Sequence, residues 1–149
     1  MRSLTLVLVL VCAVFGGSVF AAGEGWLTNF KEAKKEAAAK NLPILVEFSG
    51  SDWCKYCVRM ENEVFSKKAF KDYVKDNFVL LFIDFPMKTK LAPELKKQND
   101  NLASIYGVRV FPTVLILDKE GQVLKVSHYV PGGVDVFLEF LKKIKAGLK

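Results

Sequence analysis

A short apolar run that leads directly into a cysteine pair constrains the fold of this chain more than any other feature. The segment is ILVEFSGSDWCKYC, residues 44–57. Its first residues are mostly β-branched, apolar or aromatic, which predicts a strand that is buried on both faces of a sheet. The residues that follow predict a turn, with Ser51 or Asp52 as the cap of a helix that carries Cys54, Cys57 and the residues up to 65.

Helical and strand patterns alternate along the rest of the chain. Apolar residues at helical spacing predict a first helix that contains Trp26 and Ala37 and ends at Asn41 and Pro43. Later strands are predicted at 77–85, 113–118 and 122–130, and later helices at 66–75, 94–106 and 136–144. The order α-β-α-β-α-β-β-α predicts an α/β fold with a mixed sheet of about four strands flanked by helices.

The first 22 residues have the pattern of a secretory signal peptide. Arg2 gives a positive start, residues 4–15 are almost entirely apolar, and small residues end at a cleavage site after Ala21. We expect this segment to be cleaved, which leaves a single domain at 23–149 in the periplasm or outside the cell. A membrane anchor is the alternative, because the apolar stretch approaches the ~20 residues that span a bilayer.

Charge gives only weak information about partners. The chain has a net charge of +6, and its lysines are spread over the sequence rather than grouped in a run. This distribution is typical of solvated helix faces, and it indicates only weakly a preference for acidic partners or anionic lipid. We also expect no nucleic-acid partner and a monomeric protein.

The two cysteines of the predicted domain allow more than one chemistry. A structural zinc site needs four ligands, and this part of the chain offers only Cys54, Cys57 and His128 as thiol or imidazole ligands. We therefore expect no zinc site, although Cu(I) accepts two thiolates. A purely structural disulfide fits poorly, because so short a loop removes little entropy from the unfolded chain.

A redox role has a direct physical basis. A cysteine at the start of a helix meets free backbone N–H groups and the positive end of the helix dipole, which favour its thiolate. We expect Cys54 to be this nucleophile, with Lys55 adding a nearby positive charge. Cys57, one turn later, is placed to resolve a mixed disulfide.

Two stretches of the chain resemble thioredoxins. ILVEFSGSDWCKYC resembles the thioredoxin signature, and YGVRVFPTVLILDKEGQVLKVSHYVPGGVDVFLEFLKKI, residues 106–144, looks like the C-terminal half of a thioredoxin. The resemblance covers about residues 26 to 146 and implies the thioredoxin fold. It also implies an exported thiol–disulfide oxidoreductase with no bound cofactor, only a redox-active Cys54–Cys57 disulfide. Its expected partners are protein thiols and disulfides and a membrane or periplasmic redox protein.

The resemblance implies roles for further residues. Pro112 matches the proline that is cis in thioredoxins and faces the two sulfurs, and the backbone of Phe111 would pair with an extended substrate segment. Trp53 would pack beside the sulfurs, as the tryptophan of the family does. Lys55 and Tyr56, between the cysteines, are the remaining candidates for contact with a substrate.

Glu47 is an unusual residue for a buried strand. Burial of its carboxyl group would raise the pKa and let the group exchange a proton with Cys57 through water. Thioredoxins use an Asp on this strand for that role, whereas this chain has Glu and one more residue before the first cysteine. The alternative is an acid at the end of the sheet that pairs with a lysine.

The direction of electron flow is less constrained. The Lys55-Tyr56 pair matches neither the Gly-Pro of reducing thioredoxins nor the Pro-His of the strong periplasmic oxidant. Lys55 should stabilise the thiolate and so favour oxidising power. On resemblance alone we nevertheless expect a reductase or a supplier of electrons to partner proteins. The alternative function is a non-catalytic binding module on the same scaffold, for copper handling or as a chaperone.

Overall fold

The computed structural model describes residues 23–148. The predicted signal peptide, with Cys12, lies outside the described residues. Within residues 23–148 the chain forms one five-stranded sheet, with helices on both of its faces. The strands are β1 Trp26–Leu27, β2 Ile44–Ser49, β3 Val79–Asp84, β4 Thr113–Leu117 and β5 Val123–His128.

The sheet is mixed, as predicted, and its order is β1-β3-β2-β4-β5. Strand β2 is central: it pairs in parallel with β3 and antiparallel with β4. Strands β4 and β5 form the predicted hairpin. The thioredoxin fold expected from the sequence is confirmed, with five strands in place of about four.

The additional strand corrects the prediction for the first helix. Trp26 and Leu27 do not begin that helix but pair in parallel with Leu80 and Leu81 of β3. The helix begins later because the side chain of Asn29 accepts hydrogen bonds from the N–H groups of the next turn, at 2.9 and 3.1 Å. Apolar spacing alone could not separate an edge strand from a helical turn at this point.

The helices are α1 Phe30–Lys40, α2 Lys55–Met60, α3 Lys68–Val74, α4 Pro93–Ile105 and α5 Gly133–Gly147. Helix α2 continues as a π-helical segment, Glu61–Phe65, so the helix predicted to reach residue 65 changes form after Met60. As predicted, α1 ends at Asn41, which adopts the left-handed conformation with φ 51°.

Two apolar layers hold the helices on the sheet. Alternate residues of β2 point to opposite faces. Ile44, Val46 and Phe48 pack with α1 and α4 on one face, whereas Leu45 packs with α2, α3 and α5 on the other. Glu47 follows the alternation of Leu45, and its side chain is therefore directed toward the face that α2 covers.

Candidate active site

The two cysteines lie at the start of α2 and are joined by a disulfide, with their Cα atoms 5.2 Å apart. Cys54 is itself the N-cap residue, and its Sγ accepts a hydrogen bond from the N–H of Cys57 at 3.2 Å. The N–H of Gly50 donates to Sγ of Cys57 at 3.5 Å. Cys54 is 6% exposed and Cys57 is 2% exposed, so Cys54 is the more accessible of two buried sulfurs.

Ser51 and Asp52, which were predicted to cap α2, do not cap it. Ser51 donates to the carboxylate of Asp84 through both its N–H and its hydroxyl, at 2.9 and 2.5 Å. The carboxylate of Asp52 accepts the N–H groups of Met87 and Lys88, at 2.9 and 2.7 Å. The bond from Met87 is the main cause of a lowered pKa at Asp52. Both side chains therefore fasten the turn before Cys54 to the end of β3 and the loop that follows.

Trp53 lies at the rim of the site. Its ring is 44% exposed, its Nε1 donates to the carbonyl of Phe85 at 2.7 Å, and it meets the ring of Phe111 edge-on at 5.9 Å. A Cβ atom at Gly50 would approach the Trp53 ring to 2.5 Å, so this position needs glycine for the ring to lie where it does.

A shallow groove of about 220 Å³ opens on the other side of Phe111. The Phe111–Pro112 peptide bond is cis. The ring of Tyr56 packs on that of Tyr129 at 5.5 Å, and both rings line the groove with Val110, Phe111, Pro112 and His128. Two expectations remain predictions: that Pro112 faces the two sulfurs, and that the backbone of Phe111 pairs with a substrate segment.

Sequence reasoning missed two residues of this groove. His128, which was considered from the sequence only as a metal ligand, lines the groove, and its Nδ1 lies 3.2 Å from the carbonyl oxygen of Pro112. Tyr129 donates to Glu63 at 2.8 Å and lies under the guanidinium of Arg59 at 5.0 Å. The sequence did offer one signal for these two residues. Tyr129 follows the only histidine of the chain, at the end of the predicted strand that comes after Pro112.

Glu47 is buried in the middle of the central strand, with 2% of its surface exposed. Its pKa is raised from 4.5 to about 8, chiefly by burial. A hydrogen bond with Ser49 lowers the pKa, and the charges of Glu61 and Asp84 contribute to the rise. The alternative of a lysine partner at the end of the sheet is wrong, because Glu47 forms no ion pair among the described residues.

Glu47 and Cys57 line one crevice of about 300 Å³. Ser49 and Glu61 lie on its walls, and Trp26 of β1 closes one side. A crevice of this size has room for water between a carboxyl group and a thiol. The proton exchange with Cys57 remains a prediction for Glu47.

Two further properties concern residues 23–148 alone. No three His, Cys, Asp or Glu side chains in this range are grouped closely enough to hold a metal ion. Nor does any helix in the same range combine the length and apolar character needed to cross a bilayer.

The chain is similar in sequence and in fold to several other proteins. A family model described as a thioredoxin-like domain matches residues 30–146. The disulfide bond reductase DsbH of Chlamydia pneumoniae is 30% identical over 131 residues, which cover 88% of this chain and 76% of that protein. The thioredoxin-related protein DsbJ of the same organism is 28% identical over 105 residues, 70% of this chain but only 30% of that protein.

A solved structure shows the same similarity in three dimensions. The DsbH oxidoreductase superposes with a TM-score of 0.77 at 28% identity, over 81% of this chain and 83% of that one. The region matched by the family model includes Cys54, Cys57 and Pro112.

Proposed function

The chain belongs to the thioredoxin-like family, and from this premise we propose that it is an exported thiol–disulfide oxidoreductase that reduces disulfide bonds in other proteins. The observation that carries the proposal is the Cys54–Cys57 pair at the start of α2, with Cys54 accepting the N–H of Cys57. Export is supported by the signal-like sequence of residues 1–22, and reduction by the name of the DsbH relative.

The first step begins from the dithiol form. The Cys54 thiolate attacks one sulfur of the partner's disulfide, forms a mixed disulfide, and releases the other sulfur as a thiolate. In the disulfide form the N–H of Cys57 donates to Sγ of Cys54, and the same hydrogen bond would stabilise a thiolate at this position.

The second step completes the exchange. Cys57 attacks Sγ of Cys54, so the intramolecular disulfide forms and the second partner sulfur leaves as a thiolate. The ionised form of Glu47, which a pKa of about 8 leaves as the minority form at neutral pH, takes the proton of the Cys57 thiol across the crevice that both residues line. Burial raises the pKa of Glu47 to about 8, which makes its carboxylate a stronger base than an exposed one.

The rim around Cys54 would contact the partner's segment. Trp53 and Tyr56 are half-exposed aromatic residues on either side of the disulfide segment, and Phe111 lies beside Trp53. Lys55, next to Cys54, contributes a positive charge to the same rim. A protein substrate with an extended segment fits such a rim, and a redox protein in the membrane or periplasm would return electrons to the disulfide. The binding-module alternative is not favoured, because relatives are named as redox enzymes.

The reduction potential of the Cys54–Cys57 pair tests the direction of the proposed reaction. We expect a value near that of thioredoxin, about −270 mV, because a reductase must hold its disulfide more stably than its substrates hold theirs. Equilibration of the purified protein with a dithiothreitol series, followed by trapping of free thiols, gives the value. A potential near −120 mV would instead identify an oxidant that passes disulfides to its partners, and would overturn the proposed direction.

A further inference from the structure

One wall of the groove beside Pro112 consists of two tyrosine rings that an ion pair holds in place. The hydroxyl of Tyr129 donates to Glu63 at 2.8 Å, and the guanidinium of Arg59 lies over the Tyr129 ring at 5.0 Å. Arg59 also pairs with the carboxylate of Glu63 at 2.9 Å. The ring of Tyr56 packs on that of Tyr129, with the ring centres 5.5 Å apart. We call the rings of Tyr56 and Tyr129 the tyrosine wall.

The tyrosine wall offers ring surface to a ligand but no net charge. The Tyr129 hydroxyl already donates to Glu63, and the positive charge of Arg59 is balanced by the carboxylate of Glu63. None of the residues within 23–148 that line the groove is Asp, Glu, Lys or Arg. The groove has a volume of about 220 Å³, which leaves room for one large side chain. An uncharged aromatic side chain fits this surface, because paired aromatic rings attract each other beyond the effect of the apolar area that they bury.

His128 adds a free hydrogen-bond acceptor to this groove. Its Nδ1 lies 3.2 Å from the carbonyl oxygen of Pro112 and 3.3 Å from the hydroxyl oxygen of Thr113. The carbonyl can only accept, and the Thr113 hydroxyl donates its one hydrogen to the carbonyl of Val110 at 2.7 Å, so it too accepts from His128. These partners assign the ring hydrogen of neutral His128 to Nδ1 and leave the lone pair on Nε2. His128 is exposed, and its Nε2 forms no hydrogen bond with any of residues 23–148.

We propose that this groove selects partner segments in which a tyrosine stands beside the disulfide-bonded cysteine. The partner's tyrosine ring packs on the tyrosine wall, and its hydroxyl donates to Nε2 of His128. Residues beside the partner's cysteine can reach the groove, because Tyr56 of the tyrosine wall lies between the two cysteines of this chain. The proposal rests on the proposed function, since the segment belongs to the protein whose disulfide Cys54 attacks. His128 and Tyr129 are then specificity-determining residues of that reaction.

Three disulfide-linked peptides test the proposal, each with the sequence X-Cys-X and with Tyr, Phe or Gly at X. We expect the wild-type protein to reduce the Tyr peptide with a kcat/KM about fivefold higher than that of the Phe peptide, since only Tyr can donate to Nε2. The Phe peptide should in turn exceed the Gly peptide about tenfold, because the Phe ring packs on the tyrosine wall. Reduction of each peptide by dithiothreitol corrects for differences in the reactivity of the peptide disulfides. Each ratio compares two peptides on the same protein, so a difference in folded fraction between variants cancels.

Variants of the two residues separate the two contacts. His128→Asn should lower the Tyr/Phe ratio to about one and keep the Phe/Gly ratio, because the Asn amide can still donate to the carbonyl of Pro112 but has no counterpart of Nε2. Tyr129→Leu should lower the Phe/Gly ratio severalfold, whereas Tyr129→Phe keeps the ring and should retain that ratio. The matched control is Lys125→Asn, at an exposed position of β5 that does not line the groove. We expect this control to retain both ratios.

The outcomes separate this proposal from the proposed function. A wild-type protein that reduces neither the three peptides nor hydroxyethyl disulfide, a small uncharged disulfide, would contradict the function itself. Equal kcat/KM values for the Tyr and Phe peptides would overturn only the tyrosine site. The same conclusion would follow from a Tyr/Phe ratio that stays at its wild-type value in His128→Asn, or from a Phe/Gly ratio that stays at its wild-type value in Tyr129→Leu.

Discussion

Replacement of Cys54 by alanine is expected to abolish disulfide exchange, with a loss of kcat/KM on the order of 10³-fold or more. Cys54 is the more exposed of the two sulfurs and holds the N-cap position, where its Sγ accepts a hydrogen bond from the N–H of Cys57. Cys57 is almost fully buried and cannot substitute as the attacking group. Steady-state reduction of a disulfide-linked protein by the Cys54→Ala and wild-type proteins measures the effect.

The control for this prediction is the fold of the variant. The thermal unfolding midpoint of Cys54→Ala should be compared with that of the reduced wild-type protein, so that neither carries the disulfide. Full exchange activity in a folded Cys54→Ala protein would mean that Cys54 is not the nucleophile.

Replacement of Glu47 by Gln is expected to remove a large pH dependence from the free energy of unfolding of the protein. Glu47 has a pKa of about 8 when folded and an ordinary value of 4.5, so between these values the folded state binds the extra proton. Stability therefore falls as pH rises through this window, because the unfolded chain releases the proton first. At 1.36 kcal/mol per pKa unit, the wild-type protein loses about 5 kcal/mol of its free energy of unfolding by the time the pH exceeds 8. The Gln side chain does not ionise, so the variant does not show this loss.

Chemical denaturation of the reduced wild-type and Glu47→Gln proteins, from pH 4 to pH 9, gives the free energy of unfolding of each protein at each pH. The difference between the two proteins should grow with pH across the window, with Gln the more stable at the alkaline end. Other groups cancel in this difference, apart from Glu61 and Asp84, whose charges act on Glu47. Glu139→Gln, at an exposed position of α5, is the matched control and should run parallel to the wild type. Parallel curves for Glu47→Gln as well would show that Glu47 is not buried in its neutral form.

The features that could be predicted from the sequence are those set by residues close together along the chain. The strand β2, the turn and the cysteine pair lie within fourteen consecutive residues, so their pattern is visible in the chain itself. The burial of Glu47 followed from its position in an apolar strand. The family resemblance added the cis bond at Pro112, which spacing alone could not have shown.

The features that were missed depend on distant partners. Trp26 was read as helical because its pairing partner, Leu80, lies in another strand far along the chain. Ser51 and Asp52 have good capping side chains, but their hydrogen-bond partners lie 33 to 36 residues later in the chain. Tyr129 joins the site through Glu63, 66 residues before it. For Ser51 and Asp52, local capping propensity lost to tertiary hydrogen bonds that the sequence does not display.

The most direct test of the proposed chemistry is to trap its intermediate. A Cys57→Ser protein, mixed in the reduced state with a disulfide-linked protein substrate, should stop at the mixed disulfide because the resolving sulfur is absent. Peptide mapping by mass spectrometry should then find the substrate attached to Cys54, and reduction should release it. A Cys57→Ser protein that turns over without accumulating the adduct, or in which no substrate attaches to Cys54, would contradict a dithiol mechanism in which Cys54 attacks and Cys57 resolves.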